Sequence, residues 1–481
     1  MTPILLLEIN EIPWRLLDRY GARGEFPDLR AFMQESDHYT TMAVDTGELS
    51  PWVTWPTLHR GVNNEAHQIR NLGQDPTTFQ GTPVWEEVRT RGGSIGVFGS
   101  MQSWPPSDPG PGGFYVPDTF AHDARCFPER LEPIQAFNLA QVRRNGRVVQ
   151  SSVPQAGEAW RAGTALLSSG VRLGTMARTA AQLVRERFTP SLSARRPVFQ
   201  TILFWDVFRK LFSAGKPPAF TTFFTNHVAG VMHRYWADVF PEDFATRDAS
   251  AVNGEALMQF AIGVLDDILR DARAWSRANP DLVVLMASSM GQDAVHRPEH
   301  EGVELVVENL TALLATAGCA REAFQPLLAM VPQVAVAIAD PALRAETARR
   351  LRSASCGGKP FIKVQEIGAT LSITVSNPPL DAMKEGGLVL GDRRFTWQES
   401  GIRMQEIEPG TGYHIPQGTL LVHRPGATGE RERTRPVIQA DEVKDWLLRI
   451  SAEGRGALDS PPLARDTAAS PIEHIAATET A

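Results

Sequence analysis

Four short apolar runs end in polar residues and are separated by stretches with helical spacing. This alternation leaves the chain few architectures. The runs are ILLLEIN from Ile4 to Asn10, SIGVFG from Ser94 to Gly99, PAFTTFF from Pro218 to Phe224 and DLVVLMA from Asp281 to Ala287. Nearly unbroken apolar character marks a strand buried on both faces. Between them, PWRLLDRYG from Pro13, PDLRAFMQES from Pro27, TPVWEEVRTRGG from Thr82 and the stretch 255–278 read as helices. Pro near a start and Gly near an end support several of these. Strand, helix, strand order predicts an α/β fold with a mostly parallel central sheet flanked by helices.

Other segments refine the plan. Residues 105–120 are rich in Pro and Gly and read as an ordered loop or rim. From 130 to 212 the pattern is mainly helical, TMARTAAQLVRERF from Thr175 being one case. Residues 303–355 also read as helical, whereas FIKVQEIGATLSITV at 361–375 and LVLGDRRFTW from Leu388 read as hairpins. This predicts a smaller α+β lobe inserted at 305–410. The core would then comprise 1–304 and a returning part at 411–453, where HIPQGTLLVHRPG leads back. Residues 454–481, rich in Ala, Pro and Ser, are expected to fray.

Charge and cysteine usage narrow the function classes. The net charge of −7 argues against a broad nucleic-acid surface. Only six of the 48 basic residues are Lys, so Arg dominates the positive charge. Cys126, Cys319 and Cys356 have no CxxC spacing, which argues against a disulfide scaffold or a cysteine zinc site. The opening MTPILLLEINE reads as a buried strand rather than a signal peptide, and no apolar run is long enough to span a membrane. The expectation is a soluble, cytoplasmic protein, with peripheral membrane contact left open. Oligomeric state is not legible. GPGG at 110–113 lacks the Lys and the strand–helix setting of a P-loop.

In open α/β sheets ligands bind beyond the C-terminal strand ends. Asn10 and Glu11 close the first run, and Asn226 and His227 follow PAFTTFF, with His233 nearby. Ser288, Ser289, Gln292 and Asp293 follow DLVVLMA, and His414 precedes the returning GTLLV. Thr54, in ELSPWVTWPTLHRG, lies where Pro56 suits the first turn of a helix. It either caps that helix or presents a hydroxyl to a phosphate held at the helix start. His227 and His233 are six apart, or about 240° around a helix, so a shared ion would need a turn between them. His296 and His300 have a favourable spacing, but Pro298 argues against a regular helix there. His59 and His67 are weaker candidates for orienting substrate. Trp52, Trp55, Tyr235 and Trp236 read as packing residues.

These residues carry a resemblance over most of residues 1–450. The chain resembles the alkaline phosphatase superfamily, particularly its phosphodiesterase/nucleotide pyrophosphatase-like branch. LLLEINEIPWRLL is similar to the opening strand that carries a metal-binding aspartate, here Asn10 followed by Glu11. SPWVTWPTLHRGVNNEAHQI is similar to the nucleophile segment, with the catalytic threonine at Thr54. In NHVAGVMHRYW the family's histidine falls at His233, but Ala229 replaces its aspartate. In LVVLMASSMGQ, Ser289 and Met290 replace an Asp-His pair, and YHIPQGTLLV places the last histidine at His414.

The resemblance implies a phosphoryl-transferring or phosphodiester-hydrolysing enzyme with Thr54 as nucleophile. Its site would be rebuilt, with Glu11, His233 and His414 as catalytic groups. Glu11, His227, His233 and His414 are candidate ligands for one divalent ion, zinc or manganese, because neutral residues would not offset the standard pair of zinc ions. Asn10, Asn226, Ser289 and Gln292 would face a small anionic or phosphorylated substrate. Two alternatives stay open. One is a transferase or lyase for another activated anionic substrate, working with or without metal. The other is a noncatalytic binding or complex-forming protein built on the enzyme fold.

Overall fold

A computed structural model of the chain describes residues 1–144, 156–245, 252–295, 303–327, 329, 333–406, 410–426 and 434–463. His296, His300 and residues 464–481 lie outside these.

The apolar runs form the centre of an eight-stranded sheet. Strands β1 (Ile4–Ile9), β2 (Ser36–Met42), β3 (Ile95–Phe98), β4 (Phe114–Val116), β5 (Phe220–Thr225) and β6 (Val283–Ala287) belong to it, with the strands Leu420–His423 and Val437–Gln439. β1 lies at its heart, parallel to β5 on one side and β6 on the other. β3 and β4 extend the sheet in parallel beyond β5. Leu420–His423 is the one antiparallel member, set between β6 and β2. The expected α/β class, with a mostly parallel sheet between helices, is what the structure has.

Alternation along β1 builds two cores, because successive side chains leave opposite faces. Leu5, Leu7 and Ile9 join Phe208, Phe223 and Trp236 on one side. Ile4 and Leu6 join Trp85, Phe220 and Trp446 on the other. A third core, including Leu313, Leu351 and Ile373, belongs to two small antiparallel sheets and their helices between residues 305 and 402. Strands Val303–Val307 and Ile402–Glu406 pair antiparallel where the chain enters and leaves this α+β lobe.

Three readings need correction. Residues 303–355 are not chiefly helical: Gln325–Leu327 and Gln333–Ala337 are strands, the latter pairing with Thr370–Val375. The 105–120 rim contains β4. The helix bearing Thr54 runs from Pro51 to Arg60, with Pro51 in its first turn and Ser50 at the cap position. Thr54 therefore sits one turn inside and is not the cap. Pro51 takes the site where its missing N–H costs nothing, and Pro56 lies within the helix.

Candidate functional site

The strand ends of β1, β5 and β6 converge as the α/β rule requires. Asn10 N–H continues the ladder by donating to Thr225 O at 3.0 Å, and the chain then turns at Glu11 with φ +60°. A non-glycine residue in this left-handed region stores about 1–3 kcal/mol of strain. The turn directs the Glu11 side chain into the space between β1 and the helix His227–Val239. Ser288 locks it: its hydroxyl accepts from Ile12 N at 3.1 Å and donates to Ile9 O.

Two histidines meet this carboxylate. His233 Nε2 lies 2.9 Å from Glu11 Oε2, and His414 Nε2 lies 3.4 Å from Oε1. His414 is brought in by pairing of Gly412–Ile415 with β7 (Gly291–Ala294), which sets it opposite Gln292. Gly412 permits the close approach. A Cβ there would sit 2.5 Å from Met232 O and 3.0 Å from Gln292 Oε1.

The outer ring nitrogens fix the protonation logic. His233 Nδ1 donates to Gly412 O at 3.1 Å, and His414 Nδ1 donates to Leu49 O at 2.8 Å. A carbonyl only accepts, so both Nδ1 atoms carry hydrogen. In a neutral ring, Nε2 would then aim a lone pair at the carboxylate. Either each ring is an imidazolium, or its lone pair is used by a cation. Burial acts to raise the Glu11 carboxyl, but the facing His233 and His414 outweigh it and hold it well below the usual carboxylate range. Burial acts to lower His414, and the Glu11 charge outweighs that, raising the ring above its ordinary value.

The same three groups pass a chemical test for one metal ion. A ligand atom from each of Glu11, His233 and His414 lies within 4.8 Å of the others. Two imidazoles and a carboxylate suit zinc, and the Nδ1–carbonyl bonds are the usual means of orienting such ligands. Among the described residues no second set of this kind is found, and the neighbouring Asn10, Thr54, Ser289 and Met290 bring no charge.

Neutral residues complete the network. Asn10 Nδ2 donates to Glu11 Oε1 and to Asn226 Oδ1, both at 2.7 Å, while Asn10 Oδ1 accepts from Trp55 Nε1 at 2.8 Å. An aspartate at position 10 could not donate to either acceptor. Gln292 Nε2 donates to Glu11 Oε2 and to Ala229 O. Thus Ala229 contributes only a backbone carbonyl, and Glu11, in the turn after β1, brings in a carboxylate.

The structure places the expected site residues in different settings. Glu11, His233 and His414 form the charged centre, and the His233 side chain is 33% exposed. Asn226 is also exposed. Asn10, Ser289 and Gln292 are buried, and each is hydrogen-bonded within the protein. Thr54 is sealed at 0% exposure, its hydroxyl 2.8 Å from Ser289 Oγ and 3.3 Å from Ser50 O.

His227 is not part of the centre. Its Nδ1 meets Thr225 Oγ1 at 2.8 Å and its Nε2 donates to Ala261 O at 3.1 Å. Six residues along one helix turn it away from His233, as the helical geometry demands. His59 and His67 are also spoken for: His59 Nε2 meets buried Glu8 at 2.7 Å, and His67 Nε2 meets Thr57 Oγ1 at 3.0 Å. The role of Trp55 as donor to Asn10 was missed, although a tryptophan beside Thr54 was visible.

No known family profile matches the chain, and no curated protein matches it by sequence. Solved structures similar in overall path include human ectonucleotide pyrophosphatase/phosphodiesterase 5, at 11% identity, 94% coverage of this chain and 95% of that one, and a TM-score of 0.42. Phosphonoacetate hydrolase from Sinorhizobium meliloti is another, at 11% identity, 94% and 96% coverage, and a TM-score of 0.40. At these scores the likeness says nothing about individual site residues.

Proposed function

We infer that this chain is a phosphoryl-transferring or phosphodiester-hydrolysing enzyme for a small anionic substrate, with Glu11, His233 and His414 as its chemical centre. The observation that carries this reading is the pair of imidazole Nε2 atoms set against the two oxygens of one buried carboxylate, with both Nδ1 atoms tied to carbonyls. Such an arrangement is strained without a proton or a cation between the groups. Its position beyond the ends of parallel strands, with Asn226 and His233 reaching solvent, suits a ligand entering from the open side.

The three residues would hold one divalent ion, zinc or manganese. Such an ion supplies Lewis-acid polarisation and offsets charge developing on a phosphoryl oxygen. The protein's own part is orientation. Leu49 O and Gly412 O fix the rings, Gln292 and Asn10 fix the carboxylate, and Asn226 offers an amide at the open edge.

The threonine route assigns attack on phosphorus to Thr54 Oγ1. In that route the hydroxyl must exchange Ser289 for substrate, and its burial weighs against this. Attack by water at the Glu11–His233–His414 centre needs no such exchange. The deciding experiment is turnover of a generic aryl phosphodiester by metal-loaded full-length protein, its His233→Ala variant and its Thr54→Val variant. Loss in the first variant with retention in the second supports the water route. Loss in both supports the threonine route, and no turnover by any form sinks the enzymatic reading.

A second reading rests on a specific observation. The Glu11 carboxylate is fully engaged by Asn10, Gln292, His233 and His414, and Thr54 is sealed. This filled state also suits a noncatalytic protein whose former cleft serves as a polar core. Retention of a stoichiometric metal without turnover would favour it.

A further inference from the structure

The helix Leu173–Phe188 is inside out. Its buried residues are the polar Thr175, Gln182 and Glu186. Gln182 and Glu186 are held by hydrogen bonds: Gln182 Nε2 donates to Leu192 O at 2.8 Å, and Glu186 Oε2 accepts from Arg196 Nε at 2.8 Å. The opposite face carries Leu173, Val184 and Phe188, exposed at 76%, 60% and 83%. At about 100° per residue these fall within an arc of about 60°, with Ala177, Ala180 and Ala181 filling out the same stripe. A soluble helix normally turns such a stripe inward.

Charge tells what would cover it. Residues 172–196 contain six arginines and one glutamate in a chain whose net charge is −7. The glutamate is Glu186, buried against Arg196. Arg187 flanks one edge of the apolar stripe, and Arg178 and Arg185 flank the other. All three are exposed, and none has a carboxylate partner among the described residues. An apolar stripe rimmed by arginines is the pattern of a helix lying in the plane of a lipid interface, with the guanidinium groups reaching lipid phosphates. A nucleic acid would use the arginines and leave Leu173, Val184 and Phe188 in water. No helix among the described residues is long and apolar enough to cross a membrane, so the contact would be peripheral.

The geometry points to the Leu173–Phe188 helix as a docking surface for an anionic membrane, bound through its outward apolar stripe and the flanking arginines. This is independent of the chemistry assigned to Glu11, His233 and His414.

The test is flotation of the full-length protein with phosphatidylcholine vesicles, with and without phosphatidylglycerol. The protein is expected to float with the anionic vesicles, to stay behind with the neutral ones, and to be released by salt. Val184→Asp with Phe188→Asp should lower binding at least about tenfold. Arg178→Gln with Arg185→Gln, which leaves the apolar stripe intact, should cost about fivefold per charge. Both variants alter exposed side chains, so an unchanged circular dichroism spectrum and melting temperature are expected. No flotation of the wild type with anionic vesicles would overturn the proposal. So would a wild-type dimer in light scattering that the aspartate variant converts to a monomer, because the stripe would then be covered by a second copy.

Discussion

Replacing Glu11 by Gln keeps the side-chain shape and removes the buried carboxylate that both His233 and His414 face. Four groups lean on this carboxylate: the Asn10 amide at 2.7 Å, the Gln292 amide, His233 at 2.9 Å and His414 at 3.4 Å. A glutamine can still accept from Asn10, but its own NH2 then opposes the Gln292 amide or the His233 ring. Hydrogen bonds to a charged partner contribute about 1.5–3 kcal/mol each. Losing the two imidazole contacts would cost up to about 6 kcal/mol, part of which relaxation around the neutral side chain recovers. A net loss of about 3 kcal/mol is expected, equivalent to about a hundredfold in an equilibrium constant. The same substitution removes the one anionic ligand of the proposed ion. Calorimetric titration of zinc into metal-stripped full-length protein, with a competing chelator, should give one equivalent for the wild type and affinity at least about a hundredfold weaker for Glu11→Gln. Equal affinity in the two proteins would refute the assignment of Glu11, and two tight equivalents in the wild type would refute a single-ion site.

Other substitutions probe neighbouring parts of the site. Thr54→Val removes a hydroxyl shared with Ser289 and should cost about 1–2 kcal/mol in chemical denaturation while leaving turnover within about threefold of wild type. Gly412→Ala would press a methyl against Met232 O and Gln292 Oε1, and should weaken zinc binding about tenfold by displacing the carbonyl that orients His233. Burial lowers the His227 pKa from 6.5 to about 4, so its contribution to stability is present above pH 6.5 and is lost as pH falls through about 4. Between those limits the wild type should lose up to about 3 kcal/mol that a His227→Gln variant does not lose, measured as the difference in their denaturation midpoints against pH.

The parallel strands were legible because burial on both faces demands the unbroken apolar runs of β1, β5 and β6. β2 was not, since SDHYTTM carries polar groups along most of its length and is only partly buried. QVAVA at 333–337 reads equally as helix or strand, and only pairing with Thr370–Val375 decides it. At the site, the strand-end rule brought out Asn10, Glu11, His233 and His414 as candidates. It could not show that Glu11 turns in through a left-handed backbone, because no local pattern announces that conformation in a glutamate. Nor could it show that Thr54 is sealed by Ser289, a contact between residues 235 positions apart. His227 failed as a ligand for a reason already present in its spacing from His233.

The proposed chemistry rests on one charged centre built from Glu11, His233 and His414. Anomalous diffraction from crystals soaked in zinc tests it most directly. A single strong peak bonded to Glu11, His233 Nε2 and His414 Nε2 is expected. A map with no peak among those atoms, or with a second ion bound by Asn10, Thr54 and Ser289, would contradict it.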